Sequence, residues 1–253
     1  MCKAFSCIVE RNGIVHWKFG VDSHDELIMK AKLKDDNADP DKMKFARVEI
    51  APKNNKYLEP DKWEFRIDQT ITPTWLSDRH EKACWKAQKE WLAKLDKILI
   101  HKKIVHPFRD VTPPAKITEK HITLLREWDS VCDSVCDSVC DSVGDSVWAS
   151  VGASVRASVW DSVRASVGAS VRASVWDSVR AYIGSFFKLP RTSWKYTEKI
   201  KTKGYPFASS PKLWEIGLVS SFDGKVWRLH GGKDGKVLFE ISKEELRKQG
   251  REK

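Results

Sequence analysis

No apolar run in this 253-residue chain approaches the ~18 to 20 residues needed to cross a bilayer, so a membrane-spanning protein is excluded and no membrane partner is expected. The opening MCKAFSCIVERNG carries one lysine and then an apolar stretch too short, and broken by Ser6, to serve as a secretory signal core. A cytoplasmic location is therefore expected, and the six cysteines are expected as thiols. Paired CxxC spacing is missing, and Cys132, Cys136 and Cys140 have no fourth ligand, so no metal site and no cofactor are expected. The run HGGKDGK, His230 to Lys236, lacks the spacer between glycines and the following Ser/Thr of a phosphate loop, and it reads as a hairpin turn. RNP, KH and helix-turn-helix patterns are also missing.

What the chain does hold is charge and a repeat. Lys and Arg number 45 against 35 Asp and Glu, giving a formal charge of +10. The excess is uneven. Residues 1–128 hold 25 basic and 20 acidic groups, residues 129–184 hold 4 and 7, and residues 185–253 hold 16 and 8. A polyanionic partner would therefore meet the C-terminal part, and the mildly acidic repeat suits protein contact or spacing.

From Asp129 to Gly184 a four-residue phrase recurs: Asp or Ala, then Ser, then Val, then Cys, Gly, Trp or Arg. In a regular α-helix each phrase advances ~400°, so the Val stripe drifts by about 40° per repeat, and most of these residues are weaker helix formers than Ala. In an extended chain, position one shares a face with Val while Ser and the variable residue share the other. Residues 153–168 and 169–184 differ at two positions only, Ser166/Tyr182 and Val167/Ile183. The repeat resembles that of pentapeptide-repeat proteins, with each side one residue shorter. The fold class expected is thus two α+β modules around a tetrapeptide-repeat β-solenoid, a square coil of about 16 residues per turn, with a helical repeat segment as the alternative. The variable positions Trp148, Trp160, Trp176, Arg156, Arg164, Arg172 and Arg180 then form the candidate contact surface for a protein partner. Open coil edges would allow a second copy to pair edge to edge. Cys, Gly and Arg codons lie one base from that of Trp, which points to a tandem DNA repeat.

The modules around it divide as 1–100, an α+β domain; 101–128, a linker and capping helix; 129–187, the repeat; and 188–253, a basic α+β module. In the first, Asn12-Gly13 signals a hairpin, Ser23 with Glu26 a capping box, and the apolar stripe after Ser77 a helix to about Ile100. The order is ββαββα, with the helices expected on one face of a small sheet. In the last, Leu218 to Ile241 reads as a β-meander.

Two sets of residues carry possible chemistry. Cys2 would stand beside a free α-amine once Met1 is removed, a thiol with its own base. Met1-Cys2 followed by a strand resembles the N-terminal-nucleophile glutamine amidotransferases, with Lys3 where those enzymes carry Gly; the resemblance implies a Cys2 nucleophile, with His16 and His24 as acid/base helpers. Separately, Trp194, Lys195, Tyr196, Lys199, Lys201, Lys203 and Tyr205 interleave rings with cations, as in proteins that stack bases over a basic groove.

The MCKAF start, Val21 to His24, the SVxD-type repeats running into AYIGSFF and the closing GLVSSFDGKVWRLH are similar to uncharacterised proteins of phage and environmental genomes. That similarity implies a mobile-element setting, hence a host cytoplasm, and no known activity. The expected function is a non-enzymatic binding or scaffold protein whose variable repeat surface meets a macromolecular partner. The alternatives are a Cys2 amidohydrolase or amidotransferase and a nucleic-acid binder acting through the basic C-terminal module.

Overall fold

The computed structural model describes residues 5–35, 38–53, 59–100, 102–143 and 172–249, together with Val147, Gly152, Val155, Val159 and Val163. The chain forms two compact units, Met1–Leu99 with Val143–Ser154, and Ile100–Ser142 with Val155–Lys253. Among the described residues no helix is long and apolar enough to cross a membrane.

The first unit follows the order ββαββα: β1 (Phe5–Glu10), β2 (Val15–His16), α1 (His24–Lys30), β3 (Phe45–Pro52), β4 (Trp63–Ile67) and α2 (Asp78–Ile98). The strands form one antiparallel sheet, ordered β2-β1-β3-β4. Gly13, at φ +92°, makes the β1-β2 turn that Asn12-Gly13 signals. Strand alternation then sorts the side chains. Phe5, Cys7 and Val9 lie on the same face as their neighbours Ile50, Val48 and Ala46, and Trp91 of α2 meets Phe5 and Trp63 on that side at ring separations of 6.0 and 6.3 Å. Ile8 points the other way and packs with Leu27 and Ile28 of α1 and with Phe45. The two helices therefore cover opposite faces, and not one face as the pattern suggested. Ile8 and Phe45 are the reason: they give that face an apolar centre, which α1 covers.

In the second unit, α3 (Glu119–Asp129), α4 (Val135–Val143), α5 (Arg172–Gly184), α6 (Ser209–Glu215) and α7 (Lys243–Lys248) accompany the meander β5 (Leu218–Phe222), β6 (Val226–Gly231) and β7 (Lys236–Ser242). Trp128, Leu125, Tyr182, Leu213, Trp214, Val219 and Trp227 fill the core. Tyr182 stacks on Trp214 at 4.9 Å. Residues 102–117 are held in the same unit: the Val105 amide donates to the Tyr182 hydroxyl (2.8 Å), and His106 and Phe108 are buried.

The β-solenoid expectation is overturned. Among the described residues the sheets are two small antiparallel ones, of four and three strands, and the described part of the repeat is helical in α4, α5, Val147, Gly152, Val155 and Val163, with Val159 in a π-helical turn. Burial does not follow the expected faces. Asp133, Asp137 and Asp141 at position one are exposed, while Ser138 and Ser178 at position two are fully buried beside the buried Val139 and Val179. Adjacent residues buried together fit one face of a helix and not alternating faces of a strand. Every described Val of the repeat is buried, so tertiary burial outweighs weak intrinsic propensity. A π turn holds more residues than an α turn, so one such turn moves the average period toward four and reduces the drift of the stripe. With no solenoid there is no coil edge, and the edge-to-edge dimer is withdrawn with it.

Asp177 of α5 carries a testable consequence. Burial, helped by the nearby Asp133 carboxylate and opposed by Arg180, pushes its pKa up to about 6. An unfolded Asp titrates near ~3.9, so the stabilisation is complete below that pH and is lost as pH rises through 6. Asp177→Asn is expected to be more stable than the parent by about 2 kcal/mol at pH 7.5 and equal to it near pH 4. Urea unfolding of both proteins across that range checks it, and parallel curves would refute it.

Candidate functional site

The described residues of the second unit form a groove of about 920 Å³. One wall is the end of α3 and the 3₁₀ turn Cys132–Ser134, contributing Glu127, Ser130 and Ser134; the other is the segment from Tyr196 to Lys212. Lys199, Lys201 and Lys212 line it and are exposed. Among the described residues none of the three forms an ion pair, and neither do the neighbouring Lys195 and Lys203. Glu127 and Glu198 also face the groove, so the lining is positive by one charge and the flanking lysines add to it. Lys30, Lys42, Lys53 and Lys62, by contrast, each hold a carboxylate.

The lysine segment is built from within by Arg191. Its guanidinium donates to the carbonyls of Thr202 (3.1 Å), Thr197 (2.6 Å) and Ile200 (2.7 Å) and to the Thr197 hydroxyl (2.6 Å). A planar fork meeting four acceptors fixes the loop while Lys199 and Lys201 project outward. Nothing in the sequence marks Arg191 for this role, because three of its four acceptors are backbone carbonyls, up to 11 residues away.

The basic aromatic segment divides in the structure. Trp194 is buried against Tyr205, at a ring separation of 4.9 Å, and the Tyr205 hydroxyl donates to the Ala181 carbonyl at 2.7 Å. Both rings serve packing. Gly184 shows how tightly: a Cβ there would stand 2.1 Å from the Tyr205 hydroxyl. Tyr196, in contrast, is 52% exposed, and Lys195, Lys199, Lys201 and Lys203 are exposed around it.

The other sequence candidates are placed as follows. Cys2 lies outside the described residues. His16 pairs with Glu10 at 2.6 Å, and the buried His24 contacts the Val48 carbonyl and the Asp68 carboxylate, both at 3.1 Å. Each is held by the first unit's own residues. Trp148, Trp160, Arg156 and Arg164 lie outside the described residues, and of Arg172 only the helical backbone is described. Trp176 and Arg180 face each other, with the guanidinium 4.9 Å from the ring centre, and Arg180 also pairs with Asp177 at 3.3 Å.

The three repeat cysteines are half-buried thiols. Burial pushes Cys132 up to about 12, with Asp133 and Asp129 adding, so it stays protonated and unreactive at neutral pH. Among the described residues no group of three His, Cys, Asp or Glu is placed to hold a metal.

A serine-histidine pair also emerges. The Ser221 hydroxyl lies 2.7 Å from His230 Nε2, and His230 Nδ1 lies 2.9 Å from the Gly235 carbonyl. Serine-to-imidazole-to-acceptor order resembles hydrolytic machinery, yet both side chains are buried and neither lines the groove. The pair holds β5 to the β6-β7 turn. No family model, curated protein or solved structure matches the chain.

Proposed function

We propose that the chain is a non-enzymatic binding protein whose C-terminal unit grips single-stranded nucleic acid in the lysine-rimmed groove. The observation that carries this reading is the set of unpaired, exposed lysines on an Arg191-braced loop at a groove of about 920 Å³ in that unit. A fold gains nothing in stability from clustered unpaired cations, whereas a phosphate backbone gains from each of them. The charge excess of residues 185–253 adds long-range attraction. The repeat serves as an internal support here, since its valines are buried and its described Trp-Arg pair is engaged within the unit.

Fluorescence anisotropy with a labelled oligonucleotide of about 16 nucleotides, titrated against salt, tests the reading. Binding at ~50 mM salt with a clear salt slope is expected. The double variant Lys199→Gln/Lys201→Gln is expected to weaken binding by about tenfold and to flatten the slope of log K against log salt by about 1.4, two phosphate contacts at ~0.7 each. Absence of binding by the parent at that salt would end the proposal.

A further inference from the structure

Tyr196 occupies a backbone conformation that stability does not explain. Its φ is +57°, in the left-handed region that glycine enters freely and a side chain does not. It is also 52% exposed, so burial does not repay the strain, and among the described residues no ring or cation covers its ring. Two side chains of α4 hold it in place. The Tyr196 hydroxyl donates to Asp141 Oδ2 at 2.7 Å, and the Lys195 amide donates to Ser142 Oγ at 2.8 Å. An aromatic ring is thereby anchored at both ends and presented at the rim of the groove. Strain kept at an exposed, anchored residue points to function.

We infer, resting on the groove reading above, that Tyr196 is the platform on which one base of the bound strand stacks, while Lys199 and Lys201 neutralise the neighbouring phosphates. Every base has a flat face, so such a platform accepts any sequence. Fixing the ring before binding lowers the entropy lost when the strand lands. The two neighbouring aromatics of the segment are engaged in packing, which leaves Tyr196 to supply the stacking surface.

The test compares the full-length parent with Tyr196→Ala, Tyr196→Gly and Tyr196→Phe, using the same oligonucleotide and, as a polyanion without bases, heparin. Ala and Gly are expected to weaken oligonucleotide binding between tenfold and a hundredfold, in the range of one lost stacking contact, with the salt slope unchanged. Phe is expected to stay within about threefold of the parent. Heparin binding should be equal in all four proteins. Thermal stability of the Gly variant should match or exceed that of Ala, because glycine relieves the positive φ; weaker binding in that variant is then not a folding defect. Oligonucleotide affinity unchanged in Ala and Gly overturns the platform while leaving the groove intact, and so does an equal loss for heparin. A parent that binds neither probe removes both.

Discussion

Trp91→Ala is expected to lower stability by about 4 kcal/mol, the largest single loss foreseen in the first unit. The indole is 1% exposed and meets Phe5 of β1, Phe19 of the hairpin and Trp63 of β4 at ring separations of 6.0, 6.0 and 6.3 Å. Three separate parts of the chain converge on it, and the rings of Phe5 and Trp63 are held by their strands. The cavity therefore stays open, and the loss lies well inside the range for aromatic truncation in a core. Urea denaturation gives the value, and amide exchange at Cys7 and Val48 should accelerate. A loss under about 1.5 kcal/mol would mean that α2 does not seal that face.

Asp129→Ala is expected to cost about 3 kcal/mol, for a different reason. Its carboxylate is buried, at 3% exposure, and accepts from Trp227 Nε1 (2.9 Å) and Arg247 Nε (2.7 Å), with Lys243 Nζ at 3.5 Å. Removing one side of a buried pair leaves its partners without an acceptor. Trp227 is 1% exposed and would be left with an orphaned N–H. Arg247 is about half exposed and can turn to water, which puts the cost at the lower end of the range for broken buried pairs. Asp129→Asn keeps an acceptor for Trp227 and is expected to lose about half as much. Equal losses for the two variants would show that charge, and not the indole bond, is what matters.

These two residues also show what could be read in advance. Trp91 stood in the apolar stripe that places α2, and the Asn12-Gly13 turn, the Ser23 cap and the meander turns are local signals that local geometry obeys. Asp129 was not legible. In the sequence it is the first of a column of aspartates, whereas in the structure it ends α3 and binds residues 98 and 118 positions away. The repeat misled for a related reason. Its period of four departs from 3.6, and its composition disfavours a helix, but a buried Val every fourth residue is worth more than those local costs. Helix starts were partly hidden as well: Ser77 with His80 and Thr118 with His121 form capping boxes in which histidine takes the place of the usual Glu or Gln. At the groove, composition placed rings and lysines in one segment, but only tertiary packing separates the buried Trp194 from the exposed Tyr196.

The buried valines bear on how this gene can vary. A tandem tract of near-identical codons gains and loses units readily, and in an open coil an extra unit would lengthen the stack and leave the rest intact. Here one phrase added within α5 would carry Tyr182, Ile183 and Phe186 about 6 Å along the helix and turn them by about 40°, away from Trp214 and from the Val105 amide. Copy number in α5 is thus a property that the core holds constant. Length variants there would be lost with the fold, and substitution at the fourth position is the variation left open to the tract.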